Sequence, residues 1–353
     1  GITDPYISGN GCTPAKAELV WQDAMNLVTD IKYNADSNGG NISFKVDRSS
    51  IRQGNAVIAI KDVSDAILWS WHVWVTDEDI NNVIEITNHQ NVKYNFMPVN
   101  LGQCDGNTIT YEERSCKVKF IAGDQSKEIT IKQLANVIAT GSNAPFYQWG
   151  RKDPLYPSNG MGNTTKIWYD KEGIPSTANP MKGTFSAGND CIKNCILNPN
   201  LMHNRYNGDY TYYNLWSADN KTTSANDNPV NKTIYDPCPV GFKLPASNAF
   251  TGFTTTGESV SSSTQVNGTW SSSEKGWYFY TNSEKTQSIF FPALGYRSYS
   301  TMRPGSIGTQ GCFWSAHPVA KGNNYYLRTS SVDVQPTYMV DRGFGYALRP
   351  CQD

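Results

Sequence analysis

From Ile67 to Thr76 the chain alternates with a period of two. Trp69, Trp71, Val73 and Val75 share one parity; Ser70, His72, Trp74 and Thr76 share the other. A strand sends these two sets to opposite faces, so the first set is expected to line a core. Val57-Ile58-Ala59-Ile60 precedes this segment, and Asp62–Asp65 reads as the turn of a hairpin joining them. Earlier strand candidates are Glu18–Gln22, Leu27–Tyr33 and Asn41–Val46, the last two separated by an Asn/Ser/Gly turn. Short strands at this spacing predict a β-sandwich over residues 1–92. His72 sits on a strand beside tryptophans and is expected to be packed and hydrogen-bonded rather than a ligand.

Asp77-Glu78-Asp79 and the Asn-rich segment after it read as a linker. Residues 93–353 then hold few regular elements and many aromatics, glycines and asparagines. One helix is predicted over Ile129–Ala139, where Ile131, Leu134, Ala135 and Ile138 fall at helical spacing. The expectation is a mainly β chain with an α+β part. Asn204–Asn231 and the Ser/Thr-rich Thr254–Ser273 are long polar loops, and loops of that length are usually functional or disordered.

Length and charge narrow the function classes. The 353 residues allow two domains. Lys+Arg number 30 against 31 Asp+Glu, so no net basic field would hold nucleic acid. No apolar run approaches the roughly 18 residues of a membrane span. Sparse charge with abundant Asn, Ser, Thr, Gly and Tyr suits an extracellular, loop-rich protein. The chain begins at Gly1 without a signal peptide, so targeting is not legible. Eight cysteines, at 12, 104, 116, 191, 195, 238, 312 and 351, favour disulfides in an oxidising compartment. Zinc is the competing reading. It lacks a C-x-x-C pair, and Cys191 and Cys195 stand four apart without a nearby His–His pair.

Seven phrases follow one another beyond residue 95. They are Phe96–Gly102, Phe146–Pro154, Tyr235–Pro245, Gly268–Ser272, Phe291–Arg297, Gly311–Ser315 and Arg342–Pro350. In this order they resemble the Fibrobacter succinogenes major paralogous domain family. The resemblance implies a C-type-lectin-like fold, related to that of formylglycine-generating enzymes, over residues 93–353. Gly54–Ile60 followed by Ile67–Trp74 resembles the β-sandwich module of Bacteroidales fimbrillin-like proteins. Together the two parts resemble a fimbrial tip adhesin assembled by donor-strand exchange, in which an added strand completes a neighbour's open sheet. That resemblance implies a cell-surface location, on a fimbrium or the outer membrane. It implies other fimbrial subunits and a glycan or protein receptor, host or microbial, as partners. The lectin-like part runs to Asp353, as suits a subunit at the end of a fibre. Without the family, Trp149, Trp270 and Trp314 read as buried anchors, and Arg151, Arg297 and Arg349 as buried pairs that brace loops.

Sugar sites need flat aromatic faces beside polar groups. Tyr206, Tyr210, Tyr212, Tyr213 and Trp216 amid asparagines form one candidate cluster. Trp277, Tyr278 and Tyr280 with Tyr296, Arg297, Tyr299 and Arg303 form another. The bland alternative is that these aromatics cover an irregular core. Calcium would need oxygens such as those of Asp219 and Asp227, but no Glu-Pro-Asn, Gln-Pro-Asp or Trp-Asn-Asp triplet is present. An enzyme is the remaining class, with Cys312 or Cys351 as its candidate cysteines under the formylglycine-generating resemblance. No G-x-S-x-G, H-E-x-x-H or phosphate loop appears, and His203 and His317 lack a legible nucleophile partner, so no catalysis is expected. A purely structural, fibre-capping subunit is the third alternative.

Overall fold

The alternating segments of the first part become strands. A computed structural model describes residues 11–37, 39–183, 189–204, 215–219, 222–319 and 322–353. The strands are β1 (Lys16–Gln22), β2 (Thr29–Asn34), β3 (Asn41–Lys45), β4 (Gly54–Lys61) and β5 (Ile67–Val75). β4 pairs antiparallel with β1 on one side and β5 on the other. The Asp62 carboxylate turns the β4–β5 hairpin by accepting the Ser64 and Ala66 N–H groups and the Ser64 hydroxyl. The β2–β3 hairpin covers one face of this sheet. There Leu27, Val28, Ala56 and Ile58 pack with Ile31, Ile42, Val73 and Val75. Val73 and Val75 thus line a core, as the alternation predicts. Trp71 shares their parity and is 41% exposed, because the hairpin stops short of it.

The Asn-rich segment read as a linker contains an element. β6 (Ile84–Thr87) and β7 (Lys93–Phe96) form a hairpin. Asn88 closes it by accepting the Val92 N–H at 2.8 Å, and Asn91 takes positive φ. Asparagine tolerates both roles, so these residues write a turn rather than a tether.

The helix predicted over Ile129–Ala139 does not form. β8 (Asn107–Tyr111), β9 (Arg114–Ala122), β10 (Gln125–Gln133) and β11 (Asn136–Thr140) make two successive antiparallel pairs, β8 with β11 and β9 with β10. The pattern fits both periods locally. Cross-strand partners decide it: Ile129 stands opposite Val118 and Ile131 opposite Cys116. The β-branched run Ile129-Thr130-Ile131 also favours a strand. In β9 and β10 every residue except Val118 is exposed, so this ribbon stands off the body.

The chain then returns to the first sheet. β12 (Tyr147–Gln148) is followed by β13 (Trp168–Tyr169) and β14 (Pro175–Ser176), and β13 pairs with β1 at Gln22. The sheet order is β14-β13-β1-β4-β5, so β5 is an edge. β15 (Met181–Gly183), helix α1 (Asn189–Leu197) and β16 (Leu201–His203) come next, with β15 and β16 parallel.

The remainder is a set of short strands around two aromatic cores. They are β17 (Phe242–Lys243), β18 (Gly268–Ser271), β19 (Gly276–Tyr280), β20 (Ser288–Pro292), β21 (Tyr296–Arg297) and β22 (Pro304–Gly305). After them come β23 (Gly311–Pro318), β24 (Asn323–Thr329), β25 (Val334–Asp341), β26 (Gly345–Tyr346) and β27 (Cys351–Gln352). β18–β19–β20 and β23–β24–β25 are three-stranded sheets, and β27 joins β7 to β17. One core stacks Phe96, Phe250, Phe253, Phe279, Phe291 and Phe313; the other gathers Tyr147, Trp149, Trp216, Trp314, Tyr326 and Tyr346. Each such ring stabilises by about 1.5–3 kcal/mol. Trp149 and Trp314 are therefore anchors, while Trp270 packs at the rim. Arg297 and Arg349 are buried and brace loops through carbonyls. Arg349 donates to Met97 and Pro98 carbonyls, and Arg297 to those of Met302 and Tyr156.

No disulfide joins any of the eight cysteines in this structure. Cys104, Cys238, Cys312 and Cys351 are buried, and burial pushes the Cys104, Cys312 and Cys351 thiols up to about 12. Cys351 packs in the first aromatic core, and Cys238 and Cys312 in the second. Among the described residues, no helix is long and apolar enough to cross a membrane.

Candidate docking groove

Where the β2–β3 hairpin stops short, a groove of about 500 Å³ remains. Its floor is Ile58 and Ile60 of β4 with Trp71 and Val73 of β5; its wall is Tyr33, Ile42 and Phe44 of the hairpin. The hairpin end is held tightly. Tyr33 donates to the Gly39 carbonyl at 2.7 Å, and Gly40 has positive φ with space for a Cβ denied by the Tyr33 ring. Phe44 and Trp71 remain more than two-fifths exposed across the groove. An apolar trough of this size beside a sheet edge is costly to leave in water.

The edge of β5 carries no strand among the described residues, but Lys152 and α1 pack against it around Ser70. Lys152 Nζ donates to the Ser70 carbonyl at 2.9 Å, so that carbonyl points away from β4. Alternation then aims the N–H and C=O of His72 and Trp74 outward as well. The arrangement can take a short extended segment, with main-chain bonds to His72 and Trp74 and alternate side chains entering the trough.

β5 is fixed from behind. His72 Nε2 donates to Asn55 Oδ1 at 2.9 Å, and the Tyr147 hydroxyl donates to His72 Nδ1 at 3.0 Å. Burial holds the imidazole pKa down to about 4, so the ring is neutral. Ser70 Oγ donates to Asp153 at 2.8 Å, and Lys152 pairs with the Asp153 carboxylate at 2.7 Å while lying over the Trp69 ring. Trp74 Nε1 donates to the Gln103 carbonyl. His72 is thus packed and hydrogen-bonded, as expected.

The described residues among those singled out for ligand binding fall elsewhere. Tyr206, Tyr210, Tyr212 and Tyr213 lie outside the described residues. Trp216 is fully buried against Trp149 and donates to the Tyr235 carbonyl. Trp277 is buried too, donating to Ser330. Tyr278, its neighbour on β19, faces the other way and donates to Glu274 at 2.8 Å. Tyr299 packs edge-on against Phe344, and Arg303 is exposed on the same loop. Trp216 and Trp277 therefore serve the core. Asp227 accepts from Asn88, Tyr94 and Asn248, and exposed Asp219 accepts from Asn231. The formylglycine-type candidates Cys312 and Cys351 are both buried.

The groove was not read from sequence, although its strands were. Its main sheet is completed by β13 and β14, which come from beyond residue 92 and which no local period in residues 1–92 records. Comparison with family models, curated proteins and solved structures finds no match for the chain.

Proposed function

We propose that the chain is a cell-surface adhesion subunit, carried at the tip of a fimbria, whose N-terminal unit takes a strand from the neighbouring subunit. The observation that carries this reading is the apolar groove beside the unpaired edge of β5. In this reading the two layers formed by β14–β13–β1–β4–β5 and β2–β3 are a sandwich left open at the β5 edge. Residues 93–353 are the lectin-like part that meets a glycan or protein receptor outside the cell.

The test is incorporation into fibres. Trp71→Asp places a charge in the trough at an exposed position, so folding should survive while strand uptake fails. Sheared fibres from cells producing the variant should carry at least about ten-fold less of the subunit, a loss worth about 1.4 kcal/mol of docking. Unchanged incorporation would defeat the reading. Receptor binding is tested separately, by a glycan array of the full chain with calcium and with EDTA.

A further inference from the structure

Cys191 and Cys195 lie four apart on α1, and hence on one face of that helix. β16 brings His203 to the same face. One donor atom from each of the three side chains lies within 4.8 Å of the other two. The sequence shows the two cysteines but not their partner, because His203 arrives through the turn at 198–201.

The three donors are held on a prepared frame. Gln148 clamps the His203 backbone, accepting its N–H at 3.0 Å and donating to its carbonyl at 2.9 Å. Arg151 ties down the connection between α1 and β16, donating to the carbonyls of Asn198, Pro199 and Leu201. Cys191 and His203 are buried, and Cys195 is half-buried. Small cavities of about 30 Å³ adjoin both cysteines, each large enough for one water.

We propose that Cys191, Cys195 and His203 hold one zinc ion, with the fourth position open to a water from the adjoining cavity. Two thiolates and one imidazole are soft and borderline donors that select zinc over calcium or magnesium. Zn–S of about 2.3 Å and Zn–N of about 2.0 Å set donor separations of roughly 3.5–3.8 Å in a tetrahedron. The three side chains therefore need to close by at most about 1 Å. Binding deprotonates both thiols and releases two protons to solvent. Two thiolates then neutralise the dication, which suits a buried place. The ion would lock α1 to β16.

The experiment uses the full chain, reduced, stripped with EDTA and dialysed against zinc, with metal counted by mass spectrometry. One zinc per chain is expected. Cobalt in its place should give a thiolate-to-metal absorption band in the unmodified chain, a readout that needs no variant. Cys195→Ser and His203→Gln should each weaken zinc by at least about 100-fold. Cys116→Ser, on the exposed ribbon, should bind as before. Absence of stoichiometric zinc, absence of the cobalt band, or full zinc retention by both ligand variants would overturn the proposal. A Cys191–Cys195 disulfide in the unreduced chain would also overturn it.

Discussion

The Tyr147 hydroxyl lies 3.0 Å from Nδ1 of His72, 75 residues earlier in the chain. Through this bond the back of β5 is fastened to the body that follows it. The neutral ring accepts at Nδ1 and donates at Nε2, and it is burial away from water that requires this uncharged form.

That requirement gives a pH dependence. Burial lowers the folded-state pKa of His72 from 6.5 to about 4. The unfolded chain therefore binds a proton first as pH falls. The stability contribution of the neutral ring is complete above pH 6.5 and is lost as pH falls towards about 4. It amounts to at most about 3 kcal/mol. Urea unfolding of the unmodified chain and His72→Gln across this range should show the difference between them shrink as pH drops. A constant difference would remove the titration from the account.

Lys152 and Asp153 form a pair with almost no solvent contact, closed by Ser70. Removing one partner strands the other charge in the interior. Lys152→Ala should cost about 3–5 kcal/mol, whereas Lys166→Ala, which breaks a similar pair to Asp23, should cost a comparable amount independently. Denaturant midpoints of the two singles and the double variant check both size and additivity.

Arg349 meets Asn100 Oδ1 and the carbonyls of Met97, Pro98 and Phe290, with no carboxylate partner among the described residues. Arg349→Lys keeps the charge but loses the fork that reaches several acceptors. A destabilisation of about 3 kcal/mol is expected from the orphaned carbonyls, measured by thermal unfolding.

Ile129 and Ile131 contribute cross-strand pairing but little burial. Ile131→Thr should change global stability by less than about 0.5 kcal/mol. Hydrogen exchange at the amides of residues 114–133 should accelerate while the aromatic cores remain protected. Slow exchange throughout the ribbon would mean that its strands are anchored more deeply than their exposure implies.

Much of the N-terminal layer was legible because alternation and turn chemistry agree there: Val73 and Val75 face the core, and Asp62 makes the turn. The ribbon was misread because Ile131, Leu134, Ala135 and Ile138 satisfy a helical spacing while their true partners lie across a hairpin. Trp216 and Trp277 were offered as ligand platforms, since a sequence does not tell a buried ring from an exposed one. The groove and the Cys191–Cys195–His203 cluster depend on packing between distant segments, which no local period records.

The ribbon also has a mechanical reading. Nine residues in each of β9 and β10 carry its turn on the order of 30 Å from its base. A load applied at Gly123 and directed along the ribbon would run down two covalent backbones in parallel, so the rungs between them would be spared shear. The strain would arrive where the legs enter the body. There Cys104 and Asn143 exchange backbone hydrogen bonds at 2.8 and 3.0 Å, and that small clasp, rather than the long arm, would be the first part to yield.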